Sequence, residues 1–306
     1  MKDGLTIAKR PVAGGNNPVF TGKTGGCSLL EKFVPQEKIE KEKKLDVKMN
    51  PALKKLDDAF ANLLKEEFWH LRNDEEKYAR ALASLKWMRC TVQDVELFSL
   101  GLYRHKGKGD FACWSGMFLS AMVNRAKGEK FTIHTERIED KINYLGYRNN
   151  GKKILINGDA GSHVGYRMKK GSIMVKGNAE DSTGHWMAGG RIIVEGNVGD
   201  TAGFLMENGS ITVKGDAGGS LGQQMIAGSI NVRGNAVHLV GYRMGGGKIR
   251  IKGDAGHIMG LDMKEGTIVV WGRIGGIDET PGGEIWQGTR LISKDGKLVG
   301  KLNEGF

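Results

Sequence analysis

Apolar residues recur every nineteen positions through the C-terminal half of the chain. Ile154, Ile173, Ile192, Ile211, Ile230, Ile249 and Ile268 form one column without insertion. Around each, polar and apolar positions alternate. In Ile211-Thr212-Val213-Lys214 the isoleucine and valine share one face, and the threonine and lysine share the other. Ile192/Val194, Ile230/Val232 and Ile249/Ile251 repeat the pattern. Such alternation predicts one short, half-buried strand per unit. Four residues after each isoleucine stands a glycine: Gly158, Gly177, Gly196, Gly215, Gly234, Gly253 and Gly272. Further glycine columns begin at Gly165 and at Gly171, and a methionine column runs Met168, Met187, Met206, Met225, Met244, Met263. A helix broken by three glycines per unit would lose about 1 kcal/mol at each, so strands joined by tight turns are expected instead. A fixed short period without gaps means copies of one unit stacked on each other. The prediction is a parallel β-solenoid of nineteen-residue coils. Its glycines mark corners needing positive φ or close approach, its methionines point inward, and Ala160, Ala179, Ala217, Ala236 and Ala255 fill the narrow side.

The N-terminal half follows a helical period. Asn50-Pro51 reads as an N-cap and first turn, followed by Leu53, Leu56, Phe60, Leu63, Leu64, Phe68 and Leu71 on one face. Asn73 with Glu76 opens a second helix carrying Tyr78, Leu82, Leu85 and Trp87. Thr91 with Asp94 makes a capping box for a third, and a fourth runs from about Phe111 to Arg125. Trp69, Trp87 and Trp114 are expected in the core of this helical domain. The resulting fold class is α+β multidomain: a basic tail and linker over 1–48, helices over 49–128, a β-helix over 131–274 and a C-terminal cap over 275–306.

Charge adds a partner class. The 306 residues carry a net charge of +11, which points to a polyanion, nucleic acid first. Lys2, Lys9, Arg10 and Lys23 in the tail, with Lys106 and Lys108 in a glycine-broken turn, are the candidate polyanion-binding residues. The tail is too poor in apolar residues to fold alone. Gly22-Lys23-Thr24 lacks the preceding glycine of a phosphate loop, where Asn17 stands instead. Cys27, Cys90 and Cys113 are odd in number and far apart, as suits a reducing cytoplasm. No apolar run reaches the eighteen or so residues of a membrane span. No catalytic constellation, cofactor or metal site is expected. His163, His238 and His257 stand at neighbouring positions of different coils, without ligand spacing.

The unit G-(N/D)-A-G-x-x-x-G-x-x-M-x-x-G-x-I-x-V-x-G resembles the GXGXG repeat family, as found in the β-helical structural subunit of formylmethanofuran dehydrogenase. It is similar also to the C-terminal domain of the glutamate synthase large subunit. The resemblance spans roughly residues 131–290, with Leu145-Gly146-Tyr147-Arg148 as a degenerate first coil. It implies a right-handed parallel β-helix that packs against catalytic subunits and holds no catalytic residue itself. The expected function is therefore a non-catalytic structural subunit of an enzyme complex of that type. The alternative is a basic RNA- or ribosome-binding factor that uses its tail and helices, with the β-helix as spacer or homodimerisation surface. In either case the partner is a large protein or ribonucleoprotein complex in the cytoplasm.

Overall fold

The computed structural model describes residues 49–65, 73–277 and 282–302. The tail lysines and arginine, Trp69 and the segment 278–281 lie outside the described residues. Residues Val47–Phe306 form one compact unit.

Four helices come first: α1 (Pro51–Lys65), α2 (Asp74–Ser84), α3 (Val92–Gly101) and α4 (Phe111–Arg125), with a 3-10 turn at Leu102–His105. Their starts are set by the expected caps. Asn50 Oδ1 accepts from Leu53 N at 2.8 Å, Asn73 Oδ1 accepts from Glu76 N at 2.9 Å, and Thr91 and Asp94 close a reciprocal box. The central helix α4 is buried from Phe111 through Val123 almost without interruption. Phe60, Phe98 and Phe118 meet around it with ring centroids 5.1–5.5 Å apart. Trp114 is buried as expected, but Trp87 corrects the sequence reading. Helix α2 stops at Ser84, Trp87 falls in the following turn, and it is 89% exposed with the Lys86 ammonium 5.0 Å from its ring. Once the helix ends, the period that placed Trp87 inward no longer applies.

Strands follow at β1 (Lys130–His134), β2 (Asn150–Asn157), β3 (Lys170–Val175), β4 (Arg191–Val194), β5 (Ser210–Val213), β6 (Ser229–Val232), β7 (Lys248–Ile251), β8 (Thr267–Val270) and β9 (Glu284–Gln287). Each pairs in parallel with the next, isoleucine on isoleucine from Ile154 to Ile285. This is a parallel β-solenoid with nineteen-residue spacing. The alanine column forms a second ladder of bridges, Ala160 to Ala179 to Val198 to Ala217 and onward. The inward isoleucine, valine and methionine columns are at most 3% exposed and are continuous with the helical core through Ile142, Leu145 and Tyr147. Helix α3 covers the free edge of β1, where His134 N donates to Ser99 Oγ at 3.0 Å. The other end closes with antiparallel β10 (Arg290–Lys294) and two-residue β11 (Lys297–Leu298), an edge too short to template further pairing.

The glycine columns serve two distinct ends. Gly184 has φ +71°, and a Cβ there would lie 2.5 Å from Ile211 Cδ1 of the next coil. Gly215 shows no left-handed φ; a Cβ would instead meet Asn197 Oδ1 at 2.1 Å and Gly196 carbonyl oxygen at 2.9 Å, so close approach alone requires it. Those asparagine oxygens belong to a ladder. Asp159, Asn178, Asn197, Asp216, Asn235 and Asp254 each accept, through Oδ1, the backbone N–H of the next coil at 2.7–2.9 Å. No two aspartates are adjacent in it, which keeps like charges more than one strand spacing apart.

Two further columns adopt left-handed backbone without glycine. Tyr144, His163, Ser182, Thr201, Ser220, Leu239 and Ile258 form one, and Arg148, Arg167, Trp186, Leu205, Gln224, Arg243 and Asp262 the other, all with φ between +50° and +67°. From Tyr144 to Leu239 in the first column and from Arg148 to Arg243 in the second, these residues turn their N–H groups forward: His163 donates to Asp181 O and Arg167 to His185 O, whereas Gly165 donates back to Leu145 O. Each corner thereby bonds to both neighbouring coils. Those bonds offset a backbone cost of about 1–2 kcal/mol per residue.

Candidate functional site

The solenoid sheet turns every second residue outward, and coil stacking aligns those residues into three columns along β2–β8. The first column reads Lys153, Ser172, Arg191, Ser210, Ser229, Lys248, Thr267. The second reads Leu155, Met174, Ile193, Thr212, Asn231, Arg250, Val269. The third, at the end of β2 and one residue past the ends of β3–β8, reads Asn157, Lys176, Glu195, Lys214, Arg233, Lys252, Trp271. Lys153, Lys176, Arg191, Lys214, Arg233, Lys248, Arg250 and Lys252 thus share a face with a single carboxylate, Glu195. Glu195 sits between Lys176 Nζ at 3.2 Å and Lys214 Nζ at 2.6 Å. Hydrogen bonds from both ammonium groups hold its carboxyl below the usual range.

The two halves of this face differ. Over β2–β4 the central column is apolar, with Leu155, Met174 and Ile193 half-exposed in register, flanked by Lys153 and Arg191 on one side and by Lys176 and Glu195 on the other. Over β5–β7 the outward positions are polar or cationic, and β8 adds Trp271, 53% exposed. The alternation in the sequence places Thr212 and Lys214 outward, but charge has to be summed down the columns before the face emerges. That sum is the signal a sequence reading could have used.

A second cluster lies at the corners of the first coils. Tyr144 and His163 stack at 4.7 Å, and His185 packs against Tyr166, Trp186 and Phe204 at 4.7–4.9 Å. The first turn of α2 seals this ladder: Tyr144 hydroxyl donates to Asp74 at 3.0 Å, and Arg148 and Arg167 both pair with Glu75. Burial, with repulsion from His163 and Arg167, pushes the His185 pKa down to about 4, and burial lowers that of His163. Both rings are therefore neutral packing groups at pH 7. Beside the ladder, Arg148, Arg167, Lys169, Trp186, Ala188 and Glu207 line an open groove of about 360 Å³. His163 meets Tyr144 and His185 rather than His238 or His257, and among the described residues no three potential metal ligands converge.

Of the candidates named from sequence, Lys106 pairs with the Glu139 carboxylate, which raises its pKa. Lys108 is exposed in the same turn. Burial pushes the Cys90 thiol up to about 11 and the Cys113 thiol up to about 12, so neither supplies a thiolate near neutral pH. No described helix is long and apolar enough to cross a membrane.

No protein-family model and no curated protein matches the chain. Among solved structures, the chain is similar to one in the formyltransferase/hydrolase complex from Methylorubrum extorquens in complex with methylofuran. The identity is 28% and the TM-score 0.44, over 50% of this chain and 59% of that one. The likeness thus spans less than two thirds of that chain.

Proposed function

We propose that this chain is a non-catalytic scaffold subunit of a multi-subunit complex, most like the structural subunit of a formylmethanofuran-dehydrogenase-type assembly, and that it acts through the outer face of its solenoid. The repeat columns that resemble that family's support this reading from sequence. The observation that carries it is the stripe Leu155–Met174–Ile193, an apolar line on a solvent face rimmed by Lys153, Lys176 and Arg191. An apolar centre inside a charged rim is the composition of a protein–protein interface. The partner it fits is a subunit with an apolar ridge and an acidic margin. The test is purification from native cells after nuclease treatment. A stoichiometric protein partner that is retained by the intact chain and lost on Ile193→Asp is the expected result. A nuclease-treated chain that sediments alone would refute the reading.

A second reading, an RNA- or ribosome-binding factor, is favoured by one observation: eight cations to a single carboxylate on the outward columns of β2–β8. It predicts co-sedimentation with ribonucleoprotein particles that weakens steeply with salt.

A further inference from the structure

We infer that the β5–β8 half of the sheet face is a track for single-stranded nucleic acid. Lys214, Arg233, Lys248, Arg250 and Lys252 would take the phosphates, and Trp271 would stack a base. This deepens the second reading and moves its site from the tail and helices onto the solenoid.

Three observations carry the inference. The first is charge: five cations stand on or directly beyond three adjacent strands, and no outward position of β5–β7 holds a carboxylate. Glu195 bounds the cationic half on one side, where it pairs with Lys176 and Lys214. The second is the exposed indole. Trp271 continues the column Lys214, Arg233, Lys252 by one further coil, its backbone N–H bonded to Ile251 O, while its side chain stays 53% exposed. A ring at the end of a cationic row is the pairing of parts that binds single strands: phosphate neutralisation, plus stacking that any base satisfies. The third is shape. The column runs along the stacking axis with about 4.8 Å between cations, and long flexible side chains can adjust that spacing to successive phosphates. A straight open row can follow a single strand along its length, whereas a duplex backbone winds away from it. An acidic peptide would use the cations but has no need of the indole.

The test is fluorescence anisotropy with the full chain and labelled twelve-nucleotide oligo(U) and oligo(dT), a duplex of equal length, and a poly-glutamate peptide. The triple variant Lys214→Ala/Arg233→Ala/Lys252→Ala should weaken oligonucleotide binding and make its log–log salt slope shallower by about 2, at roughly 0.7 per lost phosphate contact. Trp271→Ala should weaken oligonucleotide binding about tenfold, leave the salt slope and poly-glutamate binding unchanged, and be rescued by Trp271→Tyr. The relative strength of oligo(U) and oligo(dT) assigns RNA or DNA. Unchanged binding by the triple variant overturns the inference. So does duplex or poly-glutamate binding as tight as that of the oligonucleotides. If deletion of residues 1–30 abolishes binding while both face variants bind normally, this site is wrong and the tail-based RNA reading survives. No binding by the intact chain refutes both.

Discussion

Gly215→Val should unfold the solenoid at markedly lower denaturant than Lys214→Ala, although the two positions are adjacent. A Cβ on Gly215 would stand 2.1 Å from Asn197 Oδ1 and 2.9 Å from the carbonyl carbon and oxygen of Gly196. Asn197 Oδ1 is the atom that accepts Asp216 N at 2.8 Å, so the new carbon lands on one rung of the inter-coil ladder. Losing that bond costs about 0.5–1.5 kcal/mol. Forcing apart two backbones that cannot yield like a side-chain tip adds about 1–3 kcal/mol of overpacking strain. The sum is centred above about 2 kcal/mol, and it arises without any left-handed φ at Gly215, so the cost is close approach rather than backbone strain. Lys214 lies outward and pairs with Glu195 at 2.6 Å across the surface. Its replacement by alanine should cost less than about 0.5 kcal/mol. Urea melts followed by far-ultraviolet circular dichroism give both midpoints. Coincident midpoints would show that the coils do not meet at Gly215 and would refute the register.

Other perturbations read other parts of the structure. His185 has a folded-state pKa below its unfolded value, so the unfolded chain binds more protons between about pH 6.5 and pH 4. Stability should fall as pH drops through that window. His185→Phe, which copies Phe204 one coil on, should remove on the order of 2 kcal/mol of that pH dependence, discounted for partial exposure. A melt series from pH 7 to pH 4 that is equally steep in both proteins would contradict this. Ile258 holds φ +60° while 47% exposed, so Ile258→Gly should stabilise by about 0.5–1 kcal/mol, unlike almost any other isoleucine substitution here. Gly222→Ala should do the reverse by about 1–2 kcal/mol, because φ is +67° and Ile249 Cδ1 lies 2.5 Å from the new carbon. Deleting residues 282–306 bares the β8 edge, and light scattering should then report association; a monodisperse truncation would show that β9–β11 are dispensable.

Much of this architecture is legible without coordinates because its causes are local and repeated. Period-two alternation decides which strand residues point inward, and a nineteen-residue period stacks Ile173 on Ile192 and Met187 on Met206. Helix starts are equally local, as Asn50, Asn73 and Thr91 cap the turns that follow them. The candidate site is less legible. Its lysines and arginines are visible singly, but a binding face exists only once outward columns from seven strands are laid side by side. Trp87 is misread from its spacing because helix α2 ends three residues before it.

The sequence alone thus determined the stack, its register and its inward columns, since each follows from spacing that a single coil already contains. Tertiary structure decided three things that no single coil contains. Left-handed backbone at His163, Thr201 and Leu239 holds because hydrogen bonds to adjacent coils offset its cost. The histidines of the corner ladder are neutral because aromatic rings from neighbouring coils exclude water from them, beneath a turn of α2 whose Asp74 and Glu75 reach Tyr144, Arg148 and Arg167 some seventy to ninety residues on in the chain. The cationic face carries a field because coil stacking sets Lys214, Arg233 and Lys252 about 4.8 Å apart, although each is nineteen residues from the next.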